Sequence, residues 1–486
     1  MMQLAGAVIA VLGFVILIKR FGVIGRSLRT IHLAKSSVSI IHDIHLNDRQ
    51  KELALQKHAK ELFVNFFSIT AGSIAALGIS LGLVWLLQQA HLLTLHEVLE
   101  TTLSWKFITA AVLVSAGWIL FVNRKHANTS VAPYSFTERM MHHLAFISRT
   151  SGISLANMET SVYKKSIAGI EISKPVFITA LPRTGTTLLL ELCTSNGGLV
   201  SHTYSDMPFF FTPLFWNRFA GRFRHSGPCR ERAHGDGMMI SAHSPEAFEE
   251  IFWKAFWPSR YRRNRIVPWA EPAYPDFEIF FRDHIRKIIF LRRGDRSSPP
   301  RYISKNNLNI ARIQYIKHIF PDAVIIVPFR NPLQHASSLL KQHLRFLKIH
   351  SRDAFARKYM EDIGHYDFGR NLRPVDFDGW YSSDPSLNPA TMAFWLKYWL
   401  SAYGYLLRNC RDNIALISFD SLCGNAAGTL KRLAKHLDLE NIDGFLKETA
   451  RIKLPVPHPV NMDEIPADLP EKADALFSNL QKASLF

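Results

Sequence analysis

With 486 residues, 48% of them hydrophobic, and a formal net charge of +18, the chain has room for a sizeable core and more than one folding unit. The basic balance favours an anionic ligand, an anionic membrane face or both. The Arg-rich stretches at 218–232, 260–265 and 282–301 match no nucleic-acid-binding motif and lead into no low-complexity basic tail, which argues against nucleic acid as a partner. Cys193, Cys229, Cys410 and Cys423 share no metal or disulfide spacing and suit a reducing compartment.

From Met1 to Ile18 there is no charged side chain, and Lys19 and Arg20 end the run at a length that just spans a hydrocarbon core. The basic residues follow the apolar stretch instead of preceding it, which favours a retained anchor over a signal peptide. A longer uncharged run covers 62–87, and a shorter one covers Phe107 to Val122, between Trp105-Lys106 and Asn123-Arg124-Lys125, for an expected span at 105–122. A buried hairpin of soluble helices is the rival account of these last two. Lys and Arg crowd the segment between the first two runs, whereas Gln88 to Ser104 has neither. The positive-inside rule therefore puts the first loop, and everything after Arg124, in the cytoplasm of a multi-pass membrane protein; a bacterial inner membrane is the expected location. Residues 22–61 suit a basic segment lying along anionic lipid, with His42 and His45 on its surface. The expected organisation is a membrane region over 1–127 and a cytoplasmic domain over 128–486.

After a linker around Asn128 to Pro133, the stretch Lys174 to Gly198 organises the remainder. Val176-Phe177-Ile178 with Ala180 and Leu181 has strand length, and Leu188, Leu189, Leu190 and Leu192 read as helix. A strand turning tightly into a helix N-terminus aims unpaired amides and the positive end of the dipole at one point, which is an anion site. Gly185 permits close backbone approach, Thr184, Thr186 and Thr187 add hydroxyls, and Arg183 adds a fork-shaped cation. An ordinary turn capped by Thr would share these features. Walker A chemistry is absent, because no Lys precedes the Thr pair. A second turn of the same kind follows the apolar strand 323–329, where Arg330-Asn331-Pro332 opens a helix carrying Ser337 and Ser338. Further strands are expected near 288–291 and 302–304 and at 414–419, and helices at 246–257, 308–319, 333–349, 391–409 and 426–437. Trp395 and Trp399, four apart, read as core packing.

Pro182 to Thr187, PRTGTT, resembles the 5′-phosphosulfate-binding loop of the sulfotransferases, and the spacing of Arg330 to Ser338 resembles their 3′-phosphate pair. Ile417 to Leu422, ISFDSL, is similar to the late strand and "YEDL" segment of that family, with Phe419 and Ser421 departing from the usual letters. The RKGxxG segment by which cytosolic members complete the 3′-phosphate and adenine contacts has no counterpart. The resemblance covers about 174–440 and implies an α/β fold, a mainly parallel sheet flanked by helices of P-loop NTPase-like sulfotransferase type, here preceded by an α-helical transmembrane region. It further implies 3′-phosphoadenosine-5′-phosphosulfate as co-substrate, with contacts from Arg183, Thr184, Gly185, Thr186, Thr187, Arg330 and Ser338.

In-line sulfuryl transfer to a hydroxyl or amine needs positioning, neutralisation of the leaving phosphate and a base for the acceptor proton. Arg183 fits the leaving group, and Lys305 resembles the Lys that some membrane-associated members place there, though a surface lysine would look the same. Asp206 ranks first as base, Glu246 second, and His202 and His243 behind; Glu249 and Glu250 share the Glu246 stretch, where Ser244 equally suits a plain helix cap. No metal is called for, since no HExxH or Cys/His grouping occurs. The expected acceptor is a hydroxylated amphiphile at the bilayer, such as a glycolipid or lipid-linked glycan. A P-loop lipid kinase or nucleotidase, and a non-catalytic nucleotide-binding scaffold, are the alternatives.

Overall fold

The computed structural model describes residues 2–23, 25–27, 29–30, 33, 37, 48–89, 94–105, 107, 136–146, 148–195, 197–220, 230–231, 239–246, 248–270, 273–294, 300–384, 386–454, 456–460, 462 and 465–485. The chain divides into two units, Met1–Phe136 and Thr137–Phe486.

In the first unit, helix Met2–Arg20 packs against helix Asp48–Gln89 and the shorter Leu95–Leu103. Among the described residues one helix, over Glu52–Gln89, is long and apolar enough to cross a membrane. Phe63, Phe66, Ile74, Leu77 and Trp85 are all exposed on it. The expected runs at 1–18 and 62–87 fall inside these two long helices, while 105–122 lies outside the described residues apart from 105 and 107. The linker at 128–133, His42 and His45 also lie outside them.

The second unit is built on a five-stranded sheet: β1 Val176–Ile178, β2 Leu199–Val200, β3 Arg301–Lys305, β4 Val324–Phe329 and β5 Ala415–Ser418. The spatial order is β2-β3-β1-β4-β5 and every pairing is parallel, with Ile178 opposite Lys305 on one side and Ile326 on the other. Helices on both faces explain why the strands are apolar throughout instead of alternating with polar residues. Val176, Ile178, Ile303, Ile326 and Ile417 join one buried cluster with Leu189, Leu190 and Leu430. Phe177, Tyr302, Ile325 and Val327 point into the other, beside Phe281, Phe320 and Trp399. A two-stranded antiparallel ribbon, Arg230–Glu231 with Met239–Ile240, stands apart from the sheet.

Three local expectations are corrected. The apolar run at 288–291 is not a strand but the end of helix Pro275–Arg292. Phe277, Phe281, Ile285 and Ile288 recur at helical spacing and are all buried, so the period over the whole segment outweighs four apolar residues read alone. The helix expected from 246 begins at Glu250. Before it, Pro245 bridges Thr203 in an extended segment, and the Glu246 amide donates to the His202 carbonyl at 3.2 Å. The helix expected at 308–319 splits into a 3₁₀ turn Asn307–Ala311 and helix Ile313–Ile319. Trp395 and Trp399 are core residues, at 1% and 0% exposure.

A buried ionic layer lies under the turn that follows β3. The Arg312 guanidinium stacks over Trp253 at 4.1 Å and Trp269 at 4.9 Å and pairs with Glu250. Asn306 Nδ2 donates to the same carboxylate at 2.8 Å, while its Oδ1 accepts from the Leu308 amide at 3.1 Å. Glu250 thereby fixes the turn between Lys305 and Asn307. Arg312→Ala should leave that carboxylate buried and unpaired and cost about 3–5 kcal/mol of stability. The joint replacement Glu250→Gln/Arg312→Met should cost less than the single one. Denaturant unfolding of the detergent-solubilised chain reads both.

Candidate active site

Three adjacent strands, β3, β1 and β4, end in turns that meet at the C-terminal edge of the sheet, where ligands bind in open α/β folds. The turn after β1 carries two positive φ values within three residues, +74° at Arg183 and +83° at Gly185. Strain of this kind at a non-Gly residue persists only where the surroundings enforce it. His335 Nε2 donates to the Pro182 carbonyl at 2.7 Å, and Thr184 Oγ1 donates to the Leu181 carbonyl at 2.9 Å. Burial pushes the His335 pKa down to about 3, so the ring is neutral and its one N–H serves the loop. A Cβ at Gly185 would lie 2.3 Å from the Phe419 ring, so the close packing as well as the φ demands glycine. The helix Thr186–Ser195 starts at once, and its first-turn amides face outward from the coil.

The turn after β4 closes on the same loop. Arg330 Nη1 donates to the Arg183 carbonyl at 3.4 Å, and Arg183 Nε donates to Ser338 Oγ at 3.5 Å. Arg330 is only 6% exposed, sits over the Phe419 ring at 5.9 Å, and its buried Nε has no hydrogen-bond partner. Asn331 caps helix Pro332–Arg352 by accepting from the Gln334 amide at 3.1 Å, with Pro332 at the first helical position. Thus Arg183, Gly185, Thr186, Thr187, Arg330 and Ser338 lie together, whereas the Thr184 hydroxyl is turned to the backbone.

Beside these two turns lies a second constellation. Lys305 Nζ donates to Glu246 Oε1 at 3.2 Å, and the Tyr204 hydroxyl donates to Glu246 Oε2 at 2.8 Å. Asn307 links the two halves: its Oδ1 accepts from Thr186 Oγ1 at 3.4 Å and its Nδ2 donates to Asp367 Oδ2 at 3.3 Å. Asp367 Oδ2 lies 3.7 Å from His365 Nε2, and the His365 ring stacks on Phe346 at 5.4 Å. Burial first, and then the Lys305 charge, hold the His365 pKa below its ordinary value against the pull of Asp367 and Glu246. Sequence reasoning missed His365, Asp367, Asn307 and His335. The first two lie in Gly364-His365-Tyr366-Asp367, which has neither strand nor helix period. Gly364 was the available signal: at φ +81° its missing Cβ makes room for the Glu250 side chain, which draws the segment to the site.

Asp206 is elsewhere in kind. It is fully buried, pairs with Arg292 and accepts from the Thr203 amide at 2.9 Å. Burial alone raises its pKa, but His202 and Arg292 outweigh that and hold it below the ordinary carboxylate range. A carboxylate so satisfied is a poor proton acceptor. His202 is buried too, its Nε2 3.1 Å from His284 Nε2, and His243 is exposed on a turn. The Tyr302 hydroxyl donates to Glu249, whose pKa is raised by burial. Among the described residues no group of three His, Cys, Asp or Glu side chains could hold a metal ion.

Residues 175–368 match the model of the "Sulfotransferase family". Over 325 residues the chain is 24% identical to the omega-hydroxy-beta-dihydromenaquinone-9 sulfotransferases of Mycobacterium bovis and Mycobacterium tuberculosis, covering 60% of this chain and 72% of theirs. The stretch 175–368 therefore matches the sulfotransferase family. Solved structures similar to this chain include STF9 from Mycobacterium avium, with TM-score 0.41 at 12% identity, covering 70% of this chain and 84% of that one. STF1 from Mycobacterium tuberculosis H37Rv gives 0.35 at 12% identity, over 68% and 83%.

The buried histidine pair gives this domain a pH-dependent stability. Burial, then the charges of His202 and Lys287, hold His284 well below the ordinary histidine pKa. The folded state prefers it neutral, so its contribution is complete above about pH 6.5 and is lost as pH falls below that. The thermal midpoint should therefore drop between pH 7.5 and 5.5, and His284→Gln should flatten that slope.

Proposed function

We propose that this enzyme transfers a sulfuryl group from 3′-phosphoadenosine-5′-phosphosulfate to a hydroxyl of a membrane-proximal, lipid-like acceptor. The observation that carries this reading is the joining of the two turns: Arg330 bonds the Arg183 backbone while the Arg183 side chain bonds Ser338, so both phosphate-type motifs form one cationic site. One adenosine phosphorylated at both ends is the ligand such a site suits. The Arg183 guanidinium and the Gly185 to Thr187 amides hold the 5′-phosphate and stabilise the charge it gains as the sulfur–oxygen bond breaks. Arg330 and Ser338 hold the 3′-phosphate. In the transfer, the acceptor oxygen forms a new bond to sulfur, the bond from sulfur to the phosphate oxygen breaks, and the acceptor proton goes to a base.

Glu246 takes that last role in this scheme. It is 12% exposed, oriented by Tyr204 and charge-paired with Lys305, which reaches the leaving oxygen from the same spot. Asp206, with Arg292 and the Thr203 amide already on it, instead braces the segment that carries Tyr204. The mycobacterial relatives are named for omega-hydroxy-beta-dihydromenaquinone-9 as acceptor, which supports a lipid hydroxyl for this chain. The apolar helix Glu52–Gln89 supports placement at a bilayer. The Lys and Arg residues crowded before it support a catalytic unit in the cytoplasm, with the remaining apolar runs as further spans.

Membranes incubated with sulfur-35-labelled donor and a lipid extract should yield a labelled lipid one sulfate heavier. Arg183→Ala and Arg330→Ala should abolish that label, and equal labelling by both variants would overturn the assignment. Glu246→Gln should lower kcat by about 10²–10⁴ with donor affinity retained. Unchanged kcat would remove Glu246 as base.

A further inference from the structure

The family segment that completes the 3′-phosphate site is missing from the sequence, and a different part of the chain lies in a position to replace it. Helix Pro332–Arg352 presents Gln334, Ser337, Ser338 and Lys341 at spacings of three and four, which places them on one face. Ser338 on this face meets Arg183. Gln334 and Ser337 meet the segment 456–460 instead. Gln334 Nε2 donates to the His458 carbonyl at 3.1 Å and Gln334 Oε1 accepts from the His458 amide at 2.8 Å. Ser337 Oγ donates to the Pro459 carbonyl at 3.0 Å. A residue whose amide and carbonyl are both held by one side chain has a fixed backbone, and Pro457 and Pro459 on either side of it stiffen the segment further.

We propose that 456–460 is a strap beside the anion site and that His458 joins Arg330 and Ser338 in binding the donor's 3′-phosphate, a phosphate monoester. The proposal rests on the reading of the site given above. The surroundings of His458 are one-sided. Lys341 on its docking helix, Arg330 at the end of β4 and Arg183 in the loop all act on it as cations, and Asp420 is the carboxylate that offsets Arg330. Burial first, and then these three cations, lower the His458 pKa, so the ring is neutral before ligand arrives. A dianionic phosphate reverses the local field and favours the imidazolium, whose N–H then makes a charge-assisted hydrogen bond. The buried, unpartnered Nε of Arg330 on the same side is a donor waiting for the same anion. Binding is thereby coupled to uptake of a proton.

The test is calorimetry on the full-length, detergent-solubilised enzyme with 3′-phosphoadenosine-5′-phosphate and with adenosine-5′-phosphosulfate, which lacks the 3′-phosphate. Measurements run at pH 6.5, 7.2 and 8.0, in buffers of differing ionisation enthalpy. The expected result is proton uptake with the first ligand alone, removed by His458→Gln together with a loss of affinity on the order of tenfold at pH 6.5. Adenosine-5′-phosphosulfate should bind the variant as it binds the parent. If His458→Gln leaves affinity and proton uptake unchanged while Arg330→Ala abolishes binding, the strap proposal falls and the donor reading stands. If Arg330→Ala binds the bisphosphorylated nucleotide like the parent, the donor reading falls and takes the strap with it.

Discussion

The meeting of two arginines at one end of a parallel sheet is the constraint around which this domain is arranged. Arg330 bonds the backbone of Arg183, and the side chain of Arg183 turns to the helix that Arg330 precedes. The Arg183 charge acts against that of the partly buried Arg330, and like charges repel more strongly where water is scarce. A fold tolerates that only when other interactions fix both side chains. Here the fixing groups are a neutral histidine under Pro182, the Asp420 carboxylate on the Asn331 amide at 3.0 Å, and an aromatic ring beneath Gly185. An anion placed between them would offset that repulsion.

Below the strand ends the domain invests in buried polar groups. Glu250 with Arg312, Glu249 with Tyr302, and Asp206 with Arg292 are three carboxylates taken out of water, each with a partner. Such pairs contribute little net stability against apolar replacements of the same shape. What they supply is geometry. Glu250 sets the turn bearing Lys305 and Asn307, and Asp206 stiffens the segment bearing Tyr204, so the pair Glu246 and Lys305 inherits its position from these buried residues.

How far the sequence discloses this arrangement depends on how local each signal is. The loop 182–187 and the turn at 330 are legible because glycine, threonine, arginine and proline each answer a backbone demand at a fixed offset. The mainly parallel sheet follows from strands alternating with helices, and it is present. The two-residue edge strand Leu199–Val200 carries too few side chains for any period to show, and the end of helix Pro275–Arg292 imitates a strand when read four residues at a time. Asp206 and Glu246 are indistinguishable as letters. Burial and partners separate them, and these come from Arg292 and Lys305, distant in sequence. His365 and Asp367 are invisible for the same reason, since their significance lies in contact with Asn307 and not in their neighbours along the chain.

Phe419 has a consequence for the order in which the domain matures. Its ring forms the floor of the loop at Gly185 and the rest for Arg330, yet it follows the last strand of the sheet and is buried with Leu430 and Leu433 of the helix after it. During synthesis the loop and its arginines leave the ribosome long before that ring exists. The first motif translated is therefore among the last to acquire its final shape, and in the nascent domain the loop at Gly185 stays without its floor until that ring has emerged.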